Sequence, residues 1–245
     1  MEITQDRASV QRLARITGGF YLSLAVLGMF GPLMLDAFVT PGDAAATAAD
    51  ILDARGLFRA DLVSWVLLLV ADTAVGVGFY LLLRPVSRAL SLFAAAVQFA
   101  YVAMLGANLL HLFDAYALLT DPDRGVGLDE GQRQVAALLE LESFTAAFAL
   151  ALVFFGVRLL VLGYLLYRSR YVPRLLAGFV VAGGAGYILD NLASLLVPDH
   201  GGVVSAVLIL PPLVGELWLT GWLLVKGVKP GRGVTASRQT MASAV

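Results

Sequence analysis

Residues 61–83 read DLVSWVLLLVADTAVGVGFYLLL, an apolar run with one acid, Asp72, near its middle. About 20 apolar residues in a helix span the ~30 Å of bilayer hydrocarbon. A soluble helix of this length would carry a polar face, and this one has none. The stretch is therefore expected to cross a membrane. The pattern recurs at 16–39, 89–118, 143–167, 174–197 and 203–226. The expected fold is all-α, a polytopic bundle of six transmembrane helices.

Composition agrees. Hydrophobic residues make up 59% of the 245-residue chain and charged residues 14%, with a mean hydropathy of +0.83. A soluble domain is about one quarter charged. Six spans with short loops use nearly the whole length, so residues 1–228 are read as one membrane domain and 229–245 as a disordered tail. A net charge of −1 gives no basis for a nucleic-acid partner. With no cysteine, disulfides, thiolate metal sites and lipidated thiols are excluded. The two histidines, His111 and His200, cannot make a tris-histidine metal site. No phosphate loop, dinucleotide fingerprint, HExxH or GxSxG motif is present. Neither a cofactor nor a bound metal is expected. The abundance of Ala, Leu and Arg beside only two lysines is the usage of a GC-rich bacterial genome.

Arg7, Arg12 and Arg15 precede the first apolar run, as in a signal peptide. The run is too long for one and ends without an A-x-A pattern, so it reads as a retained first helix. Orientation follows from the basic residues. Arg7, Arg12, Arg15, Arg84, Arg88, Arg168, Arg170, Arg174, Lys226, Lys229, Arg232 and Arg238 fall on one side, and Arg55, Arg59, Arg124 and Arg133 on the other. By the positive-inside rule both termini are cytoplasmic. Between spans 1 and 2, a short outer surface helix is expected over about 43–58, with Thr40 as N-cap, Pro41 at its first position and Ile51, Leu52, Leu57 and Phe58 against the bilayer. Asp129 with Gln132 has the spacing of a capping box, so the fourth helix is expected to start near residue 130 and project beyond the membrane.

Acids within the spans are the main functional pointers. A charge at the bilayer centre costs ~2.5–3.5 kcal/mol even on lenient insertion scales, so it usually faces a partner or a wet cavity. Asp72, Arg158 and Glu216 fall at similar depth and are expected to interact. They read either as a proton- or ion-linked site or as buried ion pairs that lock helix register. Pro211-Pro212, one turn before Glu216, is expected to kink or break the last span, a setting known from ion sites in transporters. An outer set comprises Asn108, His111 and Asp114 on span 3, Glu140 and Glu142 at the entry of span 4, and Asp190 with Asn191 on span 5. It reads as a wet vestibule or, with His111, as a divalent-metal site. Gly178, Ala182, Gly186, Asp190 and Ser194 recur every four residues and read as a close-packing stripe. Trp65, Trp218, Trp222, Tyr21, Tyr164, Tyr167 and Tyr171 read mostly as interfacial anchors.

A set of short segments carries a family resemblance: Ala14-Arg15-Ile16 with Gly19 and Tyr21, Pro41-Gly42-Asp43-Ala44, Leu57-Phe58-Arg59, and Asp72 with Tyr80 to Val86. To these are added Phe154-Phe155-Gly156, Leu162-Gly163-Tyr164, Gly186-Tyr187-Ile188-Leu189-Asp190 and Gly215-Glu216-Leu217. Over roughly residues 10 to 228 the chain resembles the domain-of-unknown-function 4386 family of bacterial integral-membrane proteins. The resemblance implies a multi-pass protein of the bacterial inner membrane and no particular activity. Two positions depart from the family pattern. Arg158 stands where the family has His, and Gln98 where it has Arg, so no role of a His on span 4 carries over.

Three readings of function remain. The first is binding or transport of a small molecule or ion, proton-linked, through a polar cavity among spans 2, 4, 5 and 6. The second is a non-catalytic membrane partner or sensor, docking through the small-residue stripe. The third is an intramembrane, metal-dependent enzyme built on His111. Membrane lipid is the expected surrounding, and a homo-oligomer is compatible with the sequence.

Overall fold

A computed structural model describes residues 7–197 and 202–228. Among these the chain is all-helical, with no strand. The helices are α1 Arg7–Phe38, α2 Ala44–Asp53, α3 Arg55–Leu83, α4 Arg88–Thr120, α5 Glu130–Ser169, α6 Arg174–Leu196 and α7 Val203–Val225. All except α2 are long and apolar enough to cross a membrane. The chain is a multi-pass membrane protein. The expected tail, along with Asp199 and His200, lies outside the described residues.

Local chemistry sets the boundaries. Asp129 accepts from the Gln132 backbone N–H at 2.8 Å, and the Gln132 side chain accepts from the Asp129 N–H at 3.0 Å. This capping box starts α5, whose 40 residues extend ~60 Å at 1.5 Å per residue, about twice the hydrocarbon thickness. Ser87 caps α4 through the N–H of Leu90.

Two expectations about α2 are corrected. Its N-cap is Asp43, which accepts from Ala46 N–H at 2.9 Å, and not Thr40. Pro41 and Gly42 instead occupy the middle of a turn closed by Asp43 N–H to Thr40 C=O, and Gly42 takes the positive φ, 74°, that this turn requires. The helix also stops at Asp53. Leu57 and Phe58 belong to α3, and only Leu57 is exposed. Ile51 and Phe58 are fully buried, Phe58 between Phe38 and Tyr116 with ring centroids 5.3 and 5.6 Å away. Ile51 and Phe58 thus face the protein, and α2 packs mainly on α5. Asp43→Ala is expected to cost about 1 kcal/mol, read as a lower unfolding midpoint, while Thr40→Ala leaves the cap intact.

The spans pack in chain order: α1 on α3, α3 on α4, α4 on α5, α5 on α6, α6 on α7, and α7 back on α1. The six therefore close into a ring. Small residues set the tightest contacts. A Cβ on Gly156 of α5 would stand 2.7 Å from the carbonyl oxygen of Gly184 on α6, and one on Gly184 would stand 2.7 Å from that of Gly156. On the next face of α6, Gly183 meets Pro212 and Gly186 meets the carbonyl of Leu208, 2.5 Å from where a Cβ would be. Pro212 has no N–H to offer that carbonyl, so Gly186 admits an otherwise crowded backbone group.

This corrects the four-residue stripe. Gly178 and Ala182 are exposed, and nothing approaches Gly178. A four-residue step overshoots the 3.6-residue turn and drifts around the helix, so the contact faces are instead Gly183 with Gly186 and, separately, Gly184. Because Gly186 is buried inside the chain, it offers no docking surface. Nor is span 6 broken: α7 runs unbroken through Pro211 and Pro212.

Candidate functional site

Every span sends a side chain to the interior of the ring, about nine to fourteen residues in from the basic end of its helix, or roughly 14–21 Å, with Phe79 nearer that end. From α1 comes Tyr21, from α3 Asp72 and Phe79, from α4 Gln98 and Tyr101, from α5 Phe155 and Arg158, from α6 Tyr187, and from α7 Glu216. Glycine makes part of the room, since a Cβ on Gly76 would stand 2.9 Å from Cγ of Gln98.

Arg158 is the centre. Its residue is 2% exposed, and its guanidinium lies over the rings of Tyr21, Phe79 and Phe155, with centroid distances of 5.6, 5.3 and 5.1 Å. Such cation–π contacts are worth about 0.5–2 kcal/mol each when desolvated. Asp72 and Glu216 both act on Arg158 electrostatically. Neither forms a direct ion pair with it, because among the described residues only His111–Glu140 and Arg124–Asp114 come within 4.0 Å.

Each acid instead has neutral donors. Gln98 Nε2 donates to Asp72 Oδ1 at 2.8 Å, with Tyr101 also beside that carboxyl. Tyr21 Oη donates to Glu216 Oε2 at 2.9 Å, with Tyr187 beside it. The expected ion-pair network is therefore a looser cluster, with the cation held on aromatic faces and the anions on amide and phenol donors. Neither terminal nitrogen of Arg158 makes a well-formed hydrogen bond to the protein, although the guanidinium acts on the Tyr21 hydroxyl beside it, and Oε1 of Gln98 is buried without a partner.

Three mid-span tyrosines and Gln98 were not among the expected site residues. Tyr21 is buried, not an anchor. Interfacial anchors belong at helix ends, so a Tyr in mid-helix was the available signal. Trp65 is also in the core, 1% exposed, donating its indole N–H to Asp61 Oδ2 at 3.2 Å and packed edge-on against Phe144 and Phe148. Tyr164 and Tyr167 are exposed, as anchors should be. Tyr21→Phe would leave Glu216 short of a donor in the interior, and a loss of about 1–3 kcal/mol is expected in detergent unfolding. Tyr164→Phe should change stability by no more than ~0.5 kcal/mol.

The outer set does not converge. His111 Nδ1 lies 2.5 Å from Glu140 Oε2. Asp114 turns away to pair with Arg124. Glu142 is exposed on another face of α5 and does not approach His111. Asn108 Nδ2 donates to the Phe144 carbonyl at 2.9 Å. Asp190 accepts from Ser205 Oγ at 2.6 Å, tying α6 to α7. Among the described residues no three His, Asp or Glu side chains come together. The reach of the outer set is local, holding neighbouring helices at the acidic face.

Fold and interior define a class: a multi-pass membrane protein whose six spans enclose one charged, aromatic-lined cluster. The chain belongs to the domain of unknown function family DUF4386, whose model matches residues 16–227. A protein of Archaeoglobus fulgidus described as uncharacterized is 28% identical over 163 residues, 66% of this chain and 81% of that protein. No solved structure matches.

Proposed function

We propose that the Asp72–Arg158–Glu216 cluster is the working site of a binding or transport protein for a small polar ligand or ion, linked to protonation of one of its acids. The observation that carries this reading is Arg158. A buried guanidinium whose terminal nitrogens make no well-formed hydrogen bond to the protein is an expensive arrangement for a purely structural residue. A structural lock would be tighter, with Arg158 forked onto a carboxylate. Here the cation and both acids stand apart, each steadied by neighbours that leave it polar capacity to spare. The setting proposed is a bacterial inner membrane, with the face of Arg84, Arg88 and Arg168 cytoplasmic.

Native mass spectrometry of the protein released from mild detergent tests this directly. A small ligand or ion retained by the native protein and lost in Arg158→Met is the expected result. The same lipid-only spectrum for both proteins would count against a ligand at this site.

A further inference from the structure

A narrow cleft between α3, α4 and α5 meets the central cluster at Gln98 and Arg158. Gly76, Phe79, Tyr80 and Leu83 line it from α3, Ser91, Ala94, Ala95 and Gln98 from α4, and Arg158, Leu162 and Leu165 from α5. These residues occupy the basic-side halves of their helices, and the cleft leads from Arg158 toward the α3–α4 turn, where Arg84 and Arg88 stand. The volume open to the centre of a water molecule is ≈ 10 Å³, about what a single water needs.

What the cleft is suited to hold follows from its polar atoms. Most of the buried side-chain atoms without a well-formed hydrogen bond to the protein line it: both terminal nitrogens of Arg158, Oε1 of Gln98 and Oγ of Ser91. The first two are donors, the third an acceptor, and a hydroxyl is either. An anion would satisfy Arg158 but meet the carbonyl face of Gln98 and the charge of Asp72. A metal cation would meet the guanidinium. An organic molecule exceeds the space. Water both donates and accepts, so it suits atoms of either kind.

The other side of the cluster is more apolar, with Asn108 Oδ1 as a buried polar atom without a partner. Toward the acidic face stand Trp65, Phe144 and Phe148 in mutual ring contact, with Leu68 and Leu105 buried beside the cluster.

We infer that this cleft is a hydrated, one-sided access path, and that the proton linked to the central cluster is delivered along it to Asp72 from the basic face, past Ser91 and Gln98. The inference rests on the reading of the cluster as a working site and names the route of its linked proton. A cleft water gives a proton to the Asp72 carboxylate, and bulk water on the basic face restores the proton that the cleft has given up. The charged and titratable groups facing Asp72 are Arg158 from α5, Glu216 from α7 and Tyr101 from α4. From α1, Tyr21 faces Glu216 and Arg158.

The absence of cysteine makes the test clean, since each introduced thiol is the only one. Silver ion is a water-sized thiol probe, and the thiolate it needs forms where water reaches. Ser91→Cys and Ala95→Cys, reconstituted in vesicles, are expected to be blocked by silver nitrate from the basic face at least about tenfold faster than Leu105→Cys beyond the cluster. Block is read as protection from maleimide after unfolding. Equal rates at all three positions, or faster block from the acidic face, would overturn the path. The proton is read separately, by the infrared carboxyl band after a pH step. Ala95→Leu, which fills the cleft, should slow the rise of that band about tenfold, the effect of adding ~1.4 kcal/mol to a barrier. An unchanged rise would overturn delivery through the cleft while leaving the central site standing. A silver-reactive cleft with no carboxyl band that Asp72→Asn removes would overturn the proton assignment and, with it, the proton-linked site.

Discussion

Replacing Arg158 with Met is expected to cost about 3–5 kcal/mol, and neutralising both acids in the same chain should recover most of the loss. Met matches the length and apolar stem of Arg, so packing on Tyr21, Phe79 and Phe155 is largely kept. What disappears is the cation that acts on both Asp72 and Glu216. Removing one side of a buried charge set leaves uncompensated charge in a low-dielectric interior, the origin of the large penalty. Asp72→Asn with Glu216→Gln removes that charge while keeping an acceptor for Gln98 and for Tyr21. The triple variant is therefore expected to unfold near the native protein, and the single and double variants to add up poorly. Reversible unfolding in detergent measures all four. Additive losses would mean that the three groups do not feel one another across the ring.

Crowding the α5–α6 seam should have the next largest effect. Gly156→Val or Gly184→Val would drive a branched side chain into a neighbouring backbone carbonyl 2.7 Å from its Cβ. Overpacking typically costs about 1–3 kcal/mol, and more where the obstacle is main chain that cannot turn aside. A loss at or above the upper end of that range is expected, seen as low yield of monodisperse protein. Because Gly156 is two residues from Arg158, separation at this seam should also disturb the central cluster. Gly178→Val is the matched control, with nothing within 4 Å of its Cβ position, and it should purify normally.

Much of the fold was legible because membrane insertion depends on sums over long windows. Six apolar runs, the basic and acidic loops and the Asp129–Gln132 box each announce themselves locally. The site was legible in part. Asp72, Arg158 and Glu216 stand out because charge is rare in the spans, and their similar depth can be read by counting from helix ends. The closure of α7 on α1, which joins Tyr21 to Glu216 across 195 positions, has no local signature. Neither has the rotation of each helix about its axis, which decided that Gly183 and Gly184, not Gly178 and Ala182, make the contacts. Tyr101 and Tyr187 escaped for a related reason. A tyrosine is amphipathic, and only its depth and its partner distinguish an anchor from a ligand. Glu140 rather than Glu142 reached His111 because two residues are about 200° on a helix, enough to exchange the buried face for the lipid face.

The most direct test of a working site, rather than a structural lock, is infrared difference spectroscopy across a pH step on the native protein and Glu216→Gln in nanodiscs. In that variant Asp72 still offsets Arg158 and the amide still accepts from Tyr21, so it should fold. A carboxyl band that titrates in the native protein and is lost or shifted in folded Glu216→Gln is the expected result. The same titrating carboxyl bands in the native protein and in folded Glu216→Gln, or a Glu216→Gln chain that fails to fold, would contradict it and leave the three charges as a structural lock.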